Sequence, residues 1–159
     1  MKLTAEQLAT LATEKVLDIG GGVWLTVTLT PDNDLQIGHF HDCYGQVAFI
    51  PRGMRQDPRP AWFNGAAQKI WTSYECYWWQ PPQGVRVENI AALRQTVKDI
   101  LEWGFVTIEV RRWHKCEHCG NSCEDVAYLG GVEPMPTDEA LADYLPDLVW
   151  ELLHDLAVV

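Results

Sequence analysis

Past Lys115 the chain has no lysine and no arginine. Cys116 to Val159 carries 10 Asp/Glu, whereas the residues before it balance 12 Lys/Arg against 12 Asp/Glu, so the whole formal net charge of -10 sits in the last quarter. That lack of cations excludes a basic nucleic-acid-binding tail. It also implies a partner of opposite sign, because a one-signed field attracts its complement. Long apolar runs are missing too. Met1 to Gly20 holds no apolar stretch of signal-peptide length, and no segment approaches the ~20 apolar residues of a membrane span. The expectation is a cytoplasmic protein with no membrane segment.

An even set of cysteines is absent as well. There are five, three of them crowded between Cys116 and Cys123, which suits a reducing compartment and a metal better than a disulfide framework. The common catalytic signatures are also missing: H-E-x-x-H, G-x-S-x-G, a P-loop, and the deaminase pair H-x-E with P-C-x-x-C. Their absence lowers the case for an enzyme.

What remains is enough for one folded domain spanning 1–159, since 47% hydrophobic content over 159 residues supplies a normal core. Thr4 and Gln7 form a capping box at the head of an N-terminal helix running to Val16, with Leu8 and Leu11 facing inward and Gly20 to Gly22 past its end. Val23 to Thr30, Leu35 to His41, Gln46 to Ile50 and Trp71 to Trp79 read as strands, the first three as a meander. Asn89 to Trp103 is an amphipathic helix stopped by Gly104 and expected to lie on the sheet. Phe105 to Trp113 alternates in period two, and Val126 to Leu129 is its hairpin partner across the cysteine turn. Thr137 caps a C-terminal helical segment that Pro146 is expected to kink or split into two short helices. The predicted fold class is α+β: one antiparallel or mixed sheet of about five to six strands with an N-terminal helix, a central amphipathic helix and a kinked C-terminal helical segment.

The strongest chemical motif is His114-Lys115-Cys116-Glu117-His118-Cys119-Gly120-Asn121-Ser122-Cys123. A C-x-x-C-G turn converges two thiolates on one tetrahedral ion, and the step of two from His114 to Cys116 keeps both on one strand face. The expected site is a structural zinc held by His114, Cys116, Cys119 and Cys123, with no open position for catalysis. His39, His41 and Cys43 form a second group on one face of a strand, able to bind metal or to complete the cysteine cluster. Arg52, Arg55 and Arg59, and Arg111, Arg112 and Lys115 beside Trp113, are small basic groups. They offer phosphate contacts, although ion pairing with the acidic tail is the favoured expectation.

Val16-Leu17-Asp18-Ile19-Gly20-Gly21-Gly22 resembles the glycine-rich first motif of class I S-adenosylmethionine-dependent methyltransferases over those seven residues. In that family a further glycine and a helix follow. Here Trp24 replaces the glycine and a β-rich run follows, so the resemblance implies no methyltransferase activity.

The acidic module, residues 116–159, has its own pattern. Glu139, Asp143, Asp147, Glu151 and Asp155 recur at every fourth position, which stacks them along one side of a helix, beside a stripe of Leu141, Leu145, Leu148, Leu152 and Leu156. The leading expectation is therefore a non-enzymatic interaction protein, of inhibitor or adaptor type. A zinc-stabilised hairpin precedes an acidic surface that engages a basic protein partner, and direct nucleic-acid binding is not expected. The alternatives are a metal-dependent hydrolase using His39 and His41 with the Cys116–Cys123 cluster, and a small zinc-containing nucleic-acid-binding module using Arg111, Arg112, Lys115 and Trp113.

Overall fold

The computed structural model describes residues 3–32 and 43–156. In chain order its elements are α1 (Ala5–Glu14), β1 (Val16–Gly20), β2 (Val23–Asp32), β3 (Gln46–Ile50), β4 (Gln68–Trp71), β5 (Cys76–Gln80), α2 (Val87–Trp103), β6 (Phe105–Lys115), β7 (Ser122–Val132) and α3 (Asp138–Asp155). The chain divides into two compact units, Met1–Asp32 with Val106–Val159, and Asn33–Phe105.

The first unit contains a four-stranded sheet in the order β1-β2-β6-β7, together with α1 and α3. Helix α1 begins as its sequence dictates. The Thr4 hydroxyl accepts the Gln7 N–H at 3.2 Å, and the Gln7 side chain accepts the Thr4 N–H at 2.9 Å, so two otherwise orphaned donors are satisfied reciprocally. The core on one side of the sheet is built from Leu11 of α1, Leu25 and Val27 of β2, Ile108 and Val110 of β6, and Leu145, Val149, Leu152 and Leu153 of α3. All of these are at most 4% exposed.

The second unit contains a three-stranded antiparallel sheet in the order β3-β5-β4, with α2 packed on it through Val97 against Ile70 and Trp79. Trp79 is fully buried, and its indole N–H donates to the Tyr44 carbonyl at 2.7 Å. The polar tip of the largest core side chain therefore has a partner, as burial demands.

The fold is α+β with three helices and seven strands among the described residues, and it corrects the expected single sheet: there are two antiparallel sheets, of four and three strands. Two local features account for the difference. First, β3 pairs with β5, Gln46 to Ile50 lying opposite Gln80 to Cys76, instead of continuing a meander from β2. The Leu35 to His41 strand of that expected meander lies outside the described residues. Second, the run Trp71 to Trp79, read as one strand, is a hairpin. The Thr72 hydroxyl accepts the Glu75 N–H at 3.0 Å, and the Thr72 N–H donates to the Glu75 carbonyl at 3.0 Å. This is a side-chain-closed turn, which aromatic flanks conceal from a propensity reading.

The N-terminal helix also stops earlier than expected. Lys15 takes the left-handed conformation at φ 63° and donates its N–H to the Leu11 carbonyl, ending the helix one residue before Val16 starts β1. Gly20, Gly21 and Gly22, all at positive φ, make the β1–β2 turn. Helix α3, expected to kink or to split into two short helices at Pro146, is one helix from Asp138 to Asp155 with Pro146 inside it, not two. The proline removes one backbone bond and clashes with the preceding turn, at a cost of ~3 kcal/mol. Leu145 on one side of it and Val149, Leu152 and Leu153 on the other enter one core, and each such burial stabilises by ~1.5–3 kcal/mol.

Gly45, at φ +81°, opens β3, and a Cβ there would stand 2.0 Å from the Gln80 carbonyl oxygen across the ladder. Gly53 has a similar φ of +83° with nothing within 4 Å. Gly45→Ala is therefore expected to destabilise by more than Gly53→Ala. The latter costs only the left-handed backbone term of ~1–2 kcal/mol, whereas at Gly45 a paired backbone must also move. Urea unfolding of the two variants measures the difference, and equal midpoints would refute the close approach.

Candidate metal centre and acidic helix face

Strands β6 and β7 pair antiparallel from Ile108 opposite Leu129 to Lys115 opposite Ser122. This places His114 directly opposite Cys123, with side chains on the same face as Ile108, Val110 and Ala127, because residues two apart point the same way. Beyond Lys115 the chain turns at Cys116 to Gly120. The Gly120 N–H donates to the Cys116 carbonyl at 2.9 Å, the Cys116 N–H donates to the Asn121 carbonyl at 2.8 Å, and Gly120 sits at φ +71°. Glycine is required there because other residues pay a steric penalty in that region.

This turn points backbone donors at one sulfur. The Cys116 thiol is held down at about 7, first by the Cys119 backbone N–H, then by the Cys119 side chain and the His118 backbone N–H. Partial desolvation opposes these, and the Cys123 side chain assists. Cys123 moves the other way: desolvation raises it, and the neighbouring Cys116 charge adds to the effect. The Cys116 sulfur thus has both other thiols of the cluster as hydrogen-bonding neighbours.

His114 completes the picture. Among the described residues its buried Nδ1 has no hydrogen-bond partner, and it lies 3.9 Å from Asp125 Oδ2. Asp125 in turn accepts from Arg112 Nε at 3.0 Å and from Nη2, and Arg112 Nη1 donates to the Leu156 carbonyl at the end of α3 at 3.2 Å. The four predicted ligands His114, Cys116, Cys119 and Cys123 are therefore neighbours at one hairpin tip. Among the described residues, however, no group of three or more His, Cys, Asp or Glu is arranged to hold a metal ion. Soft thiolates with one imidazole are the donor set that suits zinc.

Asp125 was not picked out from the sequence, and Arg112 was singled out only as part of the basic group with Arg111 and Lys115. Their signal was parity: Asp125 follows Cys123 by two and Arg112 precedes His114 by two, so they share the face of His114 and Cys123 once the register is known. Of the second predicted group, His39 and His41 lie outside the described residues, and Cys43 is exposed.

The opposite face of the same sheet holds Trp113, stacked on Trp24 with ring centroids 6.2 Å apart and planes 8° apart, and donating to the Thr26 hydroxyl at 3.0 Å. Arg111 pairs with Glu109 and Glu124, both at 2.6 Å. Two of the three cations in the Arg111–Lys115 group thus have carboxylate partners, which leaves Lys115 as the exposed charge there. Glu124 and Asp125 belong to the acidic module, so here the expected ion pairing with it is found. Arg52 instead donates to the Tyr74 carbonyl and Arg59 stacks on Phe63.

Along α3, Glu139, Asp143, Asp147, Glu151 and Asp155 are all exposed. Among the described residues none of the five is in an ion pair. At 100° per residue, Tyr144 and Trp150 fall on the same side as these carboxylates, and they are 65% and 46% exposed. His154, also exposed, packs its ring 6.0 Å from that of Trp150. The apolar stripe is turned inward as expected, with Leu145, Leu152 and Leu156 buried and Leu141 and Leu148 partly so.

The shifted thiols give a direct test. In metal-free protein, alkylation of Cys116 is expected to rise with pH through a midpoint near 7, while Cys123 reacts only above the ordinary thiol range, since the thiolate is the nucleophile. Because the folded value of Cys116 lies below its unfolded one, the apo hairpin gains stability as pH rises from about 7 toward 9 and loses it as pH falls. Peptide-resolved mass spectrometry after brief iodoacetamide treatment reads the order, and Cys123 reacting first would contradict it. No helix is long and apolar enough to cross a membrane among the described residues. Comparison with protein-family models, with curated proteins and with solved structures finds no match.

Proposed function

We propose that this chain is a metal-stabilised interaction protein. A zinc ion bound by His114, Cys116, Cys119 and Cys123 fixes the tip of the β6–β7 hairpin, and the carboxylate face of α3 engages a basic protein partner. The metal part rests on one observation above the others: the Cys116 sulfur is surrounded by the N–H groups of Cys119 and His118 and by both neighbouring thiols. Backbone donors aimed at a sulfur stabilise the thiolate, the form that binds metal. Asp125 stands where a carboxylate orients a metal-bound histidine through its remaining ring nitrogen.

The partner part rests on the exposed, unpaired carboxylates of α3 with Tyr144 and Trp150 among them. Aromatic side chains supply contact area at interfaces, and a field of one sign speeds encounter with its complement. The proposed role needs no reaction. Such a surface suits an inhibitor or adaptor that occupies a basic site.

Native mass spectrometry of protein purified without added metal is expected to show one zinc per chain, lost on chelation and absent in Cys116→Ser/Cys119→Ser. At about 1,000-fold excess over Kd the metal stabilises by ~4 kcal/mol, so chelation is expected to lower Tm by roughly 10 °C. Asp125→Asn is expected to retain the ion with about 10- to 100-fold weaker affinity. A metal-free chain whose Tm ignores chelator would overturn the metal reading.

For the helix face, a lysine- and arginine-rich peptide is expected to bind with an affinity that falls steeply with salt. Binding should be lost when Glu139, Asp143, Asp147 and Glu151 are changed together to their amides. Unchanged peptide affinity and salt dependence in that variant would sink the proposal.

A further inference from the structure

The second unit contains a cavity of about 890 Å³ lined by Arg55, Gln56, Asp57, Pro58, Arg59, Lys69 and Trp78. Its charges are three cations and one carboxylate, so it carries a net positive charge in a chain whose formal total is -10. The cations are held in different ways. The Arg59 guanidinium lies 4.7 Å over the Phe63 ring. A guanidinium held over an aromatic ring still has N–H donors to offer a ligand. Lys69 lies 5.2 Å from the Trp78 ring centroid and is bound by Asp57. Arg55 is exposed, and among the described residues neither it nor Arg59 has a carboxylate partner.

The wall behind these cations is fixed. Trp78 donates its indole N–H to the Pro58 carbonyl at 3.0 Å and meets Phe63 edge to face at 4.8 Å. The backbone of Lys69 is pinned by Arg94 of α2, whose Nη2 donates to its carbonyl at 2.6 Å. The aromatic pair therefore positions two cations before any ligand arrives. Preorganisation of this kind reduces the ordering cost of binding.

We propose that this cavity binds a small phosphate monoester, with Arg55 and Arg59 as the donors to its phosphate and Lys69 as a supporting charge. A phosphate dianion matches the net charge, because Asp57 offsets one of the three cations. Its oxygens accept the in-plane guanidinium donors in the arrangement that arginine favours for phosphate. The surplus positive charge is local, so a compact dianion is accommodated where an extended polyanion would meet a chain negative overall.

The probe is phenyl phosphate, added to the full chain and followed by the NMR signal of the Trp78 indole N–H, identified by its loss in Trp78→Phe. A saturable shift is expected below about 10 mM, a concentration range that detects weak sites. Phenol at the same concentration should leave the signal in place. Arg55→Gln/Arg59→Gln is expected to weaken binding by at least roughly tenfold, while Arg86→Gln, an exposed arginine outside the cavity, leaves it unchanged. Both cavity arginines are exposed, and Arg55→Gln alone, which breaks no ion pair among the described residues, is expected to weaken binding in a fold left intact. The proposal is overturned by an unmoved indole signal, by phenol acting as well as its phosphate, or by arginine variants that bind like the parent. It is equally overturned if a single-stranded oligonucleotide binds more tightly than phenyl phosphate with the same arginine dependence, which would assign the cavity to nucleic acid.

Discussion

The alternation of side chains along the paired strands β6 and β7 is the constraint on which the first unit depends. One face of this hairpin carries Ile108, Val110 and Ala127 into the core. Two-residue steps along the same face bring the Arg112–Asp125 pair, then His114 opposite Cys123, then Cys116. A slip of one residue would exchange that whole set for Trp113, Arg111 and Glu124. The buried aliphatic end therefore holds the register that gathers the thiols at the other end. Asp32 pins the region near the aliphatic end, accepting from the Thr107 hydroxyl and from the Gly131 N–H, both at 3.1 Å.

Helix α3 sets two forces against each other. Like charges four residues apart repel by ~0.2–0.5 kcal/mol per pair, so the four steps from Glu139 to Asp155 cost ~1–2 kcal/mol in total. Burial of Leu145, Val149, Leu152 and Leu153 contributes ~1.5–3 kcal/mol each, an upper estimate because unfolded chains already bury some apolar surface. Burial wins by a wide margin. The same margin absorbs Pro146, and it explains how a helix with no lysine or arginine forms at all. Thr137 also caps it through the Ala140 N–H at 3.1 Å, and Asp138 and Glu139 meet the positive end of its dipole. Among the described residues no cation pairs with these carboxylates, so their repulsion is a standing field that a bound cation would relieve, and this gives the exposed face its interest.

Much of this was legible in the residues, and the failures share a cause. Period-two and period-four patterns extend over ten or more residues in β6 and α3, so both were readable, and the capping box of α1 needs only three residues. The gathering of His114, Cys116, Cys119 and Cys123 at one hairpin tip was readable because parity and a C-x-x-C-G turn are local. What escaped depended on short-range turn chemistry or on distant pairing. The Thr72–Glu75 turn lies inside an aromatic run, and Lys15 ends α1 in a conformation that its side chain does not advertise. The partner of β3 is chosen by tertiary packing, because Trp79 of β5 has to be buried against Val97 and Ile70, and nothing within Gln46 to Ile50 specifies that choice. The cationic cavity was visible only as three spaced arginines. Lys69 joins them across 10 residues from Arg59 because the loop between folds Phe63 under the guanidinium and against Trp78.

Arg112 joins the two halves of the acidic module physically. It holds Asp125 with two of its nitrogens and the last turn of α3 with the third, while Asp125 faces the open Nδ1 of His114. If His114 ligates metal through its other nitrogen, its Nδ1 proton is directed at Asp125, and the charge that Arg112 senses changes with occupancy. The metal then has an energetic route to the carboxyl end of the helix that carries the acidic face. A lysine at 112 would keep the charge yet lack the planar fork that spans a carboxylate and a carbonyl together, so the arginine is a connection that charge alone does not supply. With an ion bound there, the hairpin tip and the helix face would act together, because the strand end that the ion would order is the one that Arg112 ties to the last turn of α3.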